Sequence, residues 1–161
     1  MQFVAKPAFL IPHGTIRLMS EGGGQCSESY QWAYRKDSSH AQSGGKWEPL
    51  YFGFGTRGEQ MSLKEFKATL STSYTVKVDP AKYVTALERR QYWVDRDLAA
   101  NPNYSFPAKG QSPGSGDPAS CVSAMWDLAR AIDLETSDKA PAGLRPVAFV
   151  TDLASRNSAA P

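Results

Sequence analysis

Among residues able to attack a carbonyl, the chain offers two cysteines, Cys26 and Cys121, and as bases two histidines, His13 and His40. Cys121 stands out by its position in "GDPASCVSAMWDLARAIDLE", residues 116–135. Asp117 and Pro118 read as a helix cap followed by a first-turn proline. That puts Cys121 about three residues inside a helix start. Backbone N–H groups there lack intrahelical partners, and the helix dipole is positive. Both favour a thiolate, which is the nucleophilic form. The same N–H groups can hold a developing oxyanion. A second reading is equally physical: Cys121 is a small buried residue on the apolar side of an amphipathic helix.

A nucleophilic cysteine needs a base within reach. His13, between Pro12 and Gly14, opens a strand from which an imidazole can project. It also reads as an ordinary strand-end histidine. His40 lies in "DSSHAQSGGK", a solvated loop by composition. The two cysteines form no C-x-x-C and no His/Cys cluster, so neither a disulfide framework nor a zinc site is expected. No cofactor is expected.

These residues must be carried by a scaffold. With 161 residues, 41% of them apolar, one domain with its own core is expected. The net charge of +2, with basic residues scattered, gives no field that calls for nucleic acid. No stretch has the ~20 apolar residues of a membrane span. "MQFVAKPAFLIPHG" lacks a basic leader and is interrupted by prolines, so it is not read as a signal peptide.

Along the chain, "HGTIRLM" alternates as a strand and "SEGGGQCSES" reads as a turn. "YQWAYRK" is the returning strand and "WEPLYFGFG" a third, with "TRGEQ" turning the chain. "SLKEFKATL" suits a short helix or an irregular connection, and "STSYTVKV" a fourth strand. Asp79 and Pro80 start a helix that runs to about Ala100, with Tyr83, Val84, Leu87, Val94 and Leu98 as its apolar stripe. Residues 102–116 form a long loop. In the helix after it, Val122, Met125, Leu128, Ala129 and Ile132 face inward. "PVAFVTDL" suits a final strand, and "ASRNSAAP" a frayed tail. Strands and helices thus segregate, which indicates an α+β fold with an antiparallel sheet packed against the cysteine-bearing helix.

The ordered series "HGTIRL", "YFGFG", "YTVKVDPAKYVTAL", "NPNYSF" and "SCVSAMWDLARAIDL" resembles the circularly permuted branch of the NlpC-type papain-like cysteine hydrolases. Several members of that branch are antibacterial effectors of type VI secretion systems. The resemblance spans about residues 9–135. It implies a papain-like fold in which Cys121 is the nucleophile of an amidase or peptidase and His13 its base. The substrate implied is the peptide stem of peptidoglycan, and the partner a cognate immunity protein. The setting implied is secretion without a cleaved signal, with action in the target-cell periplasm. Lecithin:retinol acyltransferase-like enzymes share the permuted fold and act on lipid esters, and a non-catalytic binding module is a third reading. The family often has Asn before the cysteine and an aromatic four residues after it, where this chain has Ser120 and Met125.

No motif marks the residue that orients the imidazole. A hairpin turn centred near residues 24–25 would set His13 opposite positions 36–37 and make Asp37 the orienting carboxylate. Glu48, Gln31 or a backbone carbonyl are the alternatives. Around the site, Ser120, Trp47, Arg57 and Tyr104 are candidate substrate contacts. Arg57 suits a bidentate carboxylate. Trp47 belongs to an aromatic set (Trp32, Tyr34, Trp47, Tyr51, Phe52, Phe54) that reads as sheet face or groove lining. Tyr104 sits in the long loop.

Overall fold

A computed structural model describes residues 1–6, 13–20, 22–34, 51–69, 71–100, 120–138 and 145–158, without the side chains of 31–34, 51–53 and 97–100. It is an α+β structure. The elements are β1 (Gln2–Lys6), β2 (His13–Met19), β3 (Gly24–Tyr34), β4 (Tyr51–Met61), α1 (Leu63–Lys67), β5 (Thr72–Thr75), α2 (Pro80–Ala100), α3 (Cys121–Ala131) and α4 (Pro146–Ser158). The five strands form one antiparallel sheet in the order β4-β3-β2-β1-β5.

Side chains of a strand alternate between faces, and the register sorts them. Phe3, Ala5, Gly14, Ile16, Leu18 and Phe54 share one face. Gln2, Val4, Lys6, Thr15, Arg17, Met19, Cys26 and Glu28 share the other. The first face is apolar and carries the long helices: α2 lies over β4, α3 over β2, and α4 against β1 and β5. Phe54 meets Trp93 of α2 with ring centroids 6.2 Å apart. Trp126, Leu128, Ile132, Val150 and Leu153 complete the main core. The short α1 packs on the second face, where Phe66 is buried with Met19 and Cys26.

Local chemistry explains several boundaries. Ser62 caps α1 through a reciprocal bond pair with Glu65. Asp79 caps α2, accepting from the Lys82 N–H at 2.8 Å. α3 ends with Asp133 at φ 60°, and the Leu134 N–H returns to the Ala129 carbonyl at 2.8 Å. This is a left-handed helix stop made without glycine. The β2–β3 turn needs its glycines, since Gly22, Gly23 and Gly24 all have positive φ.

The structure departs from the sequence reading in several places. "PVAFV…" is not a strand: α4 starts at Pro146 and continues to Ser158, through most of the stretch read as a frayed tail. Its apolar positions Phe149, Val150 and Leu153 recur at helical spacing and are buried. β3 begins at Gly24, so Gln25–Ser29 belong to a strand rather than a turn, and β4 runs through "TRGEQ" to Met61. Cross-strand pairing holds these polar segments extended despite their composition. β1, unassigned from sequence, lies inside the sheet between β2 and β5. Of the proposed α2 stripe, Val84 is exposed, whereas Ala86 and Trp93 are the fully buried positions.

Candidate functional site

The first turn of α3 is built by two serines. Ser120 is the N-cap, with extended backbone (φ −120°, ψ 169°). Its hydroxyl accepts from the Ser123 N–H at 3.3 Å, and the Ser120 N–H donates to Ser123 Oγ at 3.2 Å. Cys121 is therefore the first helical residue, not the fourth, and the cap is Ser120 rather than Asp117. The reason is physical: Ser120–Ser123 forms a reciprocal capping box immediately before the apolar run. Ser120, Cys121 and Ser123 are all at most 2% exposed.

This buried turn faces the start of β2. A Cβ built on Gly14 would lie 3.5 Å from Cys121 Cβ and 2.5 Å from Met125 Cε. The absence of a side chain at Gly14 is what lets α3 approach β2 this closely. Met125, at the position where relatives of the resembled family often carry an aromatic, fills the space against Gly14. His13 is covalently adjacent to Gly14, so its backbone lies one residue from the strand position that abuts Cys121. Alternation sets the His13 side chain with Thr15 and Arg17, on the face opposite Gly14. His13 Nε2 is buried.

The other candidates fall differently. The β2–β3 register pairs Met19 with Cys26 and Thr15 with Tyr30, so the turn centres between residues 22 and 23. Continued by two residues, this register sets His13 opposite position 32. The premise that placed Asp37 across from His13 does not hold, because β3 starts earlier than its glycine- and serine-rich composition suggested. Asp37 itself lies outside the described residues, as do Glu48, His40, Trp47, Tyr104 and the Gln31 side chain. Of the aromatic set, Phe54 is the member whose side chain is described, and it is core, 4% exposed.

Arg57 is not held ready for a substrate carboxylate. Its Nε and Nη2 donate to Glu28 Oε2 at 3.2 and 2.7 Å, and Nη2 also meets Glu59 at 2.5 Å. It pairs with Glu28, which pairs with Arg17, four residues along β2 from His13. Two strand spacings and four residue rises separate the two positions by about 16 Å.

The residue that sequence reading missed is Glu28. It is 1% exposed and lies among Lys6, Arg17 and Arg57, with Arg17 Nε at 3.6 Å. Burial opposes its ionisation, but hydrogen bonds from Lys6 and Arg57 outweigh this and hold its pKa at about 2. The only sequence signal was a lone carboxylate at a strand-parity position, hidden inside a segment that read as a turn. Asp127 of α3 is a second such residue. It accepts from Arg89 Nη2 at 2.9 Å and from Trp93 Nε1 at 2.8 Å, and so ties α3 to α2.

Cys26 of β3 lies opposite Met19 at the far end of β2, in the small cluster with Met19 and Phe66, and burial pushes its thiol pKa up. Neither cysteine is in a disulfide. An open depression of about 570 Å³ at that same end is lined by Gly22–Gly24, Gln60–Leu63 and Glu65, and the Glu65 carboxylate is already engaged by Ser62. Among the described residues, no three His, Cys, Asp or Glu side chains are grouped to hold a metal ion, and no helix is long and apolar enough to cross a membrane. Compared with known proteins, the chain matches no family model, no curated protein and no solved structure.

Proposed function

We propose that this chain is a cysteine hydrolase, an amidase or peptidase, with Cys121 as nucleophile and His13 as base. Its substrate in this reading is the peptide stem of bacterial peptidoglycan. It acts as an antibacterial effector exported without a cleaved signal and restrained in its producer by an immunity protein. The observation that carries the reading is the close approach of the capped first turn of α3 to the start of β2, which puts Cys121 against the residue after His13. The substrate and the setting rest on the resemblance of the ordered motifs.

In this mechanism the Cys121 thiolate attacks the amide carbon, and the electron pair moves to the carbonyl oxygen. N–H groups of the first α3 turn stabilise that oxyanion. The protonated His13 returns its proton to the leaving amine, and water then hydrolyses the thioester. For His13 to act, its ring must reach around the start of β2 toward α3. For substrate to enter, Cys121 must become more accessible than its 2% exposure.

That burial favours a second reading, in which Cys121 is a packing residue of a binding module. One experiment separates the two. Purified cell-wall sacculi are incubated with the protein, with Cys121→Ala and with His13→Ala, and released fragments are weighed by mass spectrometry. In parallel the native thiols are titrated with a chromogenic disulfide. Hydrolysis requires fragments from the wild type alone and a fast-reacting thiol that disappears in Cys121→Ala. Release unaffected by Cys121→Ala, or no release together with a thiol that reacts only on unfolding, ends the hydrolase reading.

A further inference from the structure

β4 closes one side of the sheet. All eleven of its residues pair with β3, from Gly24↔Met61 to Tyr34↔Tyr51. Among the described residues no strand pairs with its outer edge. Thr56, Arg57, Gly58 and Gln60 are exposed. Gly58 has no side chain, so its exposure is exposure of backbone. A Cβ placed there would meet nothing closer than Gln25 Oε1 at 3.8 Å. An edge of this length presents unpaired N–H and C=O groups and is a template for another strand.

The sequence of the edge is self-complementary in one register. Antiparallel pairing of two copies about Gly58 sets Arg57 opposite the second copy's Glu59 and Glu59 opposite its Arg57, with Thr56 opposite Gln60 in the same way. Sliding by two residues in one direction puts Arg57 opposite Arg57, and in the other direction Glu59 opposite Glu59. Opposite charges across a strand pair stabilise it and like charges destabilise it. Gly58 meeting Gly58 at the two-fold axis puts no side chains in the way of the approach. The bonds of Arg57 to Glu28 and Glu59 use Nε and Nη2, and a guanidinium has five N–H donors in all.

We propose that β4 is a homodimerisation edge, with two copies pairing antiparallel about Gly58 into one continuous ten-stranded sheet. The occupant is a second copy of this chain, because the charge spacing is satisfied by its own sequence reversed. The contact is isologous, as closed dimers require. A handful of strand pairs buries little area, so the association is weak, in the micromolar range or above.

Sedimentation velocity of the full chain over a rising concentration series tests this. The mass is expected to climb from 17.6 kDa toward twice that value. Two double variants then probe the register. Thr56→Lys with Gln60→Lys opposes like charges at both Thr56–Gln60 pairs and is expected to weaken association at least tenfold. Thr56→Lys with Gln60→Glu opposes unlike charges there and is expected to preserve or strengthen it. Both lose the same Thr56–Ser29 side-chain bond, so a folding defect is common to the two. If neither variant folds, amide exchange of residues 55–61 in the wild type decides: it slows with concentration in a dimer. A wild type that stays monomeric throughout, equal association of the two variants, or concentration-independent exchange overturns the proposal. A monomer whose edge instead takes up an unrelated extended peptide also overturns it.

Discussion

On the sheet face that carries α2, α3 and α4, burial is apolar: Phe3, Ile16 and Leu18 are at most 1% exposed among Met125, Leu128, Ile132 and Leu153. On the opposite face, Gln2, Thr15, Arg17 and Glu28 are buried almost as completely, and they are polar or charged. Arg17 Nη1 donates to Gln2 Oε1 at 3.3 Å, the Gln2 amide donates to the Phe66 carbonyl, and Lys6, Arg17 and Arg57 surround Glu28. The first face gains from removing surface from water and tolerates exchange of one apolar residue for another of similar volume. The second depends on pairing, because removing the partner of a buried charge such as Glu28 or Arg17 leaves that charge uncompensated.

That contrast is open to direct attack. Phe3→Ala empties a fully buried site on the apolar face and is expected to cost about 4 kcal/mol. The loss, read by denaturant unfolding, is expected to be the same at pH 7 and pH 4; a loss that varies with pH would mean that the two faces are coupled.

Glu28→Gln keeps the shape but removes the carboxylate that Lys6, Arg17 and Arg57 share, leaving Arg57 with Glu59, for an expected loss of about 3 kcal/mol at neutral pH. The sign of the pH dependence follows from the depressed pKa. The Glu28 contribution is present above its ordinary value of 4.5 and is lost as pH falls toward about 2. Wild type and Glu28→Gln should therefore differ at pH 7 and converge across that acid window. Parallel curves would mean that Glu28 is held by packing rather than by charge.

Gly14→Ala strikes where β2 meets α3. Its new methyl needs Met125 Cε to move, and that atom is the flexible end of a side chain in a closed core. The expected loss is about 1–2 kcal/mol, with a changed rate of Cys121 thiol labelling. An unchanged rate would show that the approach of α3 to β2 does not control access to the thiol.

The composition and the segregation of strands before helices were enough to indicate an α+β chain with an antiparallel sheet. Asp79–Pro80 marked the start of α2, and the spacing of Val122, Met125, Leu128, Ala129 and Ile132 marked the buried side of α3, because caps and 3.6-residue periodicity are local properties. The packing of the cysteine helix against the sheet was expected from the segregation of strands and helices. How the two meet was not, since it depends on a glycine whose value is the space it leaves for Met125. α4 misled because "PVAFVTDL" is rich in strand formers, and its helical stripe acquires meaning only against β1 and β5.

What the sequence determined alone was therefore what nearest neighbours decide: helix starts, the apolar sides of helices, and the presence of a thiol at a helix N-terminus. The tertiary structure decided register and burial. A polar segment became the strand bearing Glu28 because β2 and β4 pair with it on either side, and Arg57 was drawn from candidate ligand into an ion cluster. A two-residue change in where a hairpin turns relocates every cross-strand partner, and no local pattern in "SEGGGQCSES" records which turn the chain takes.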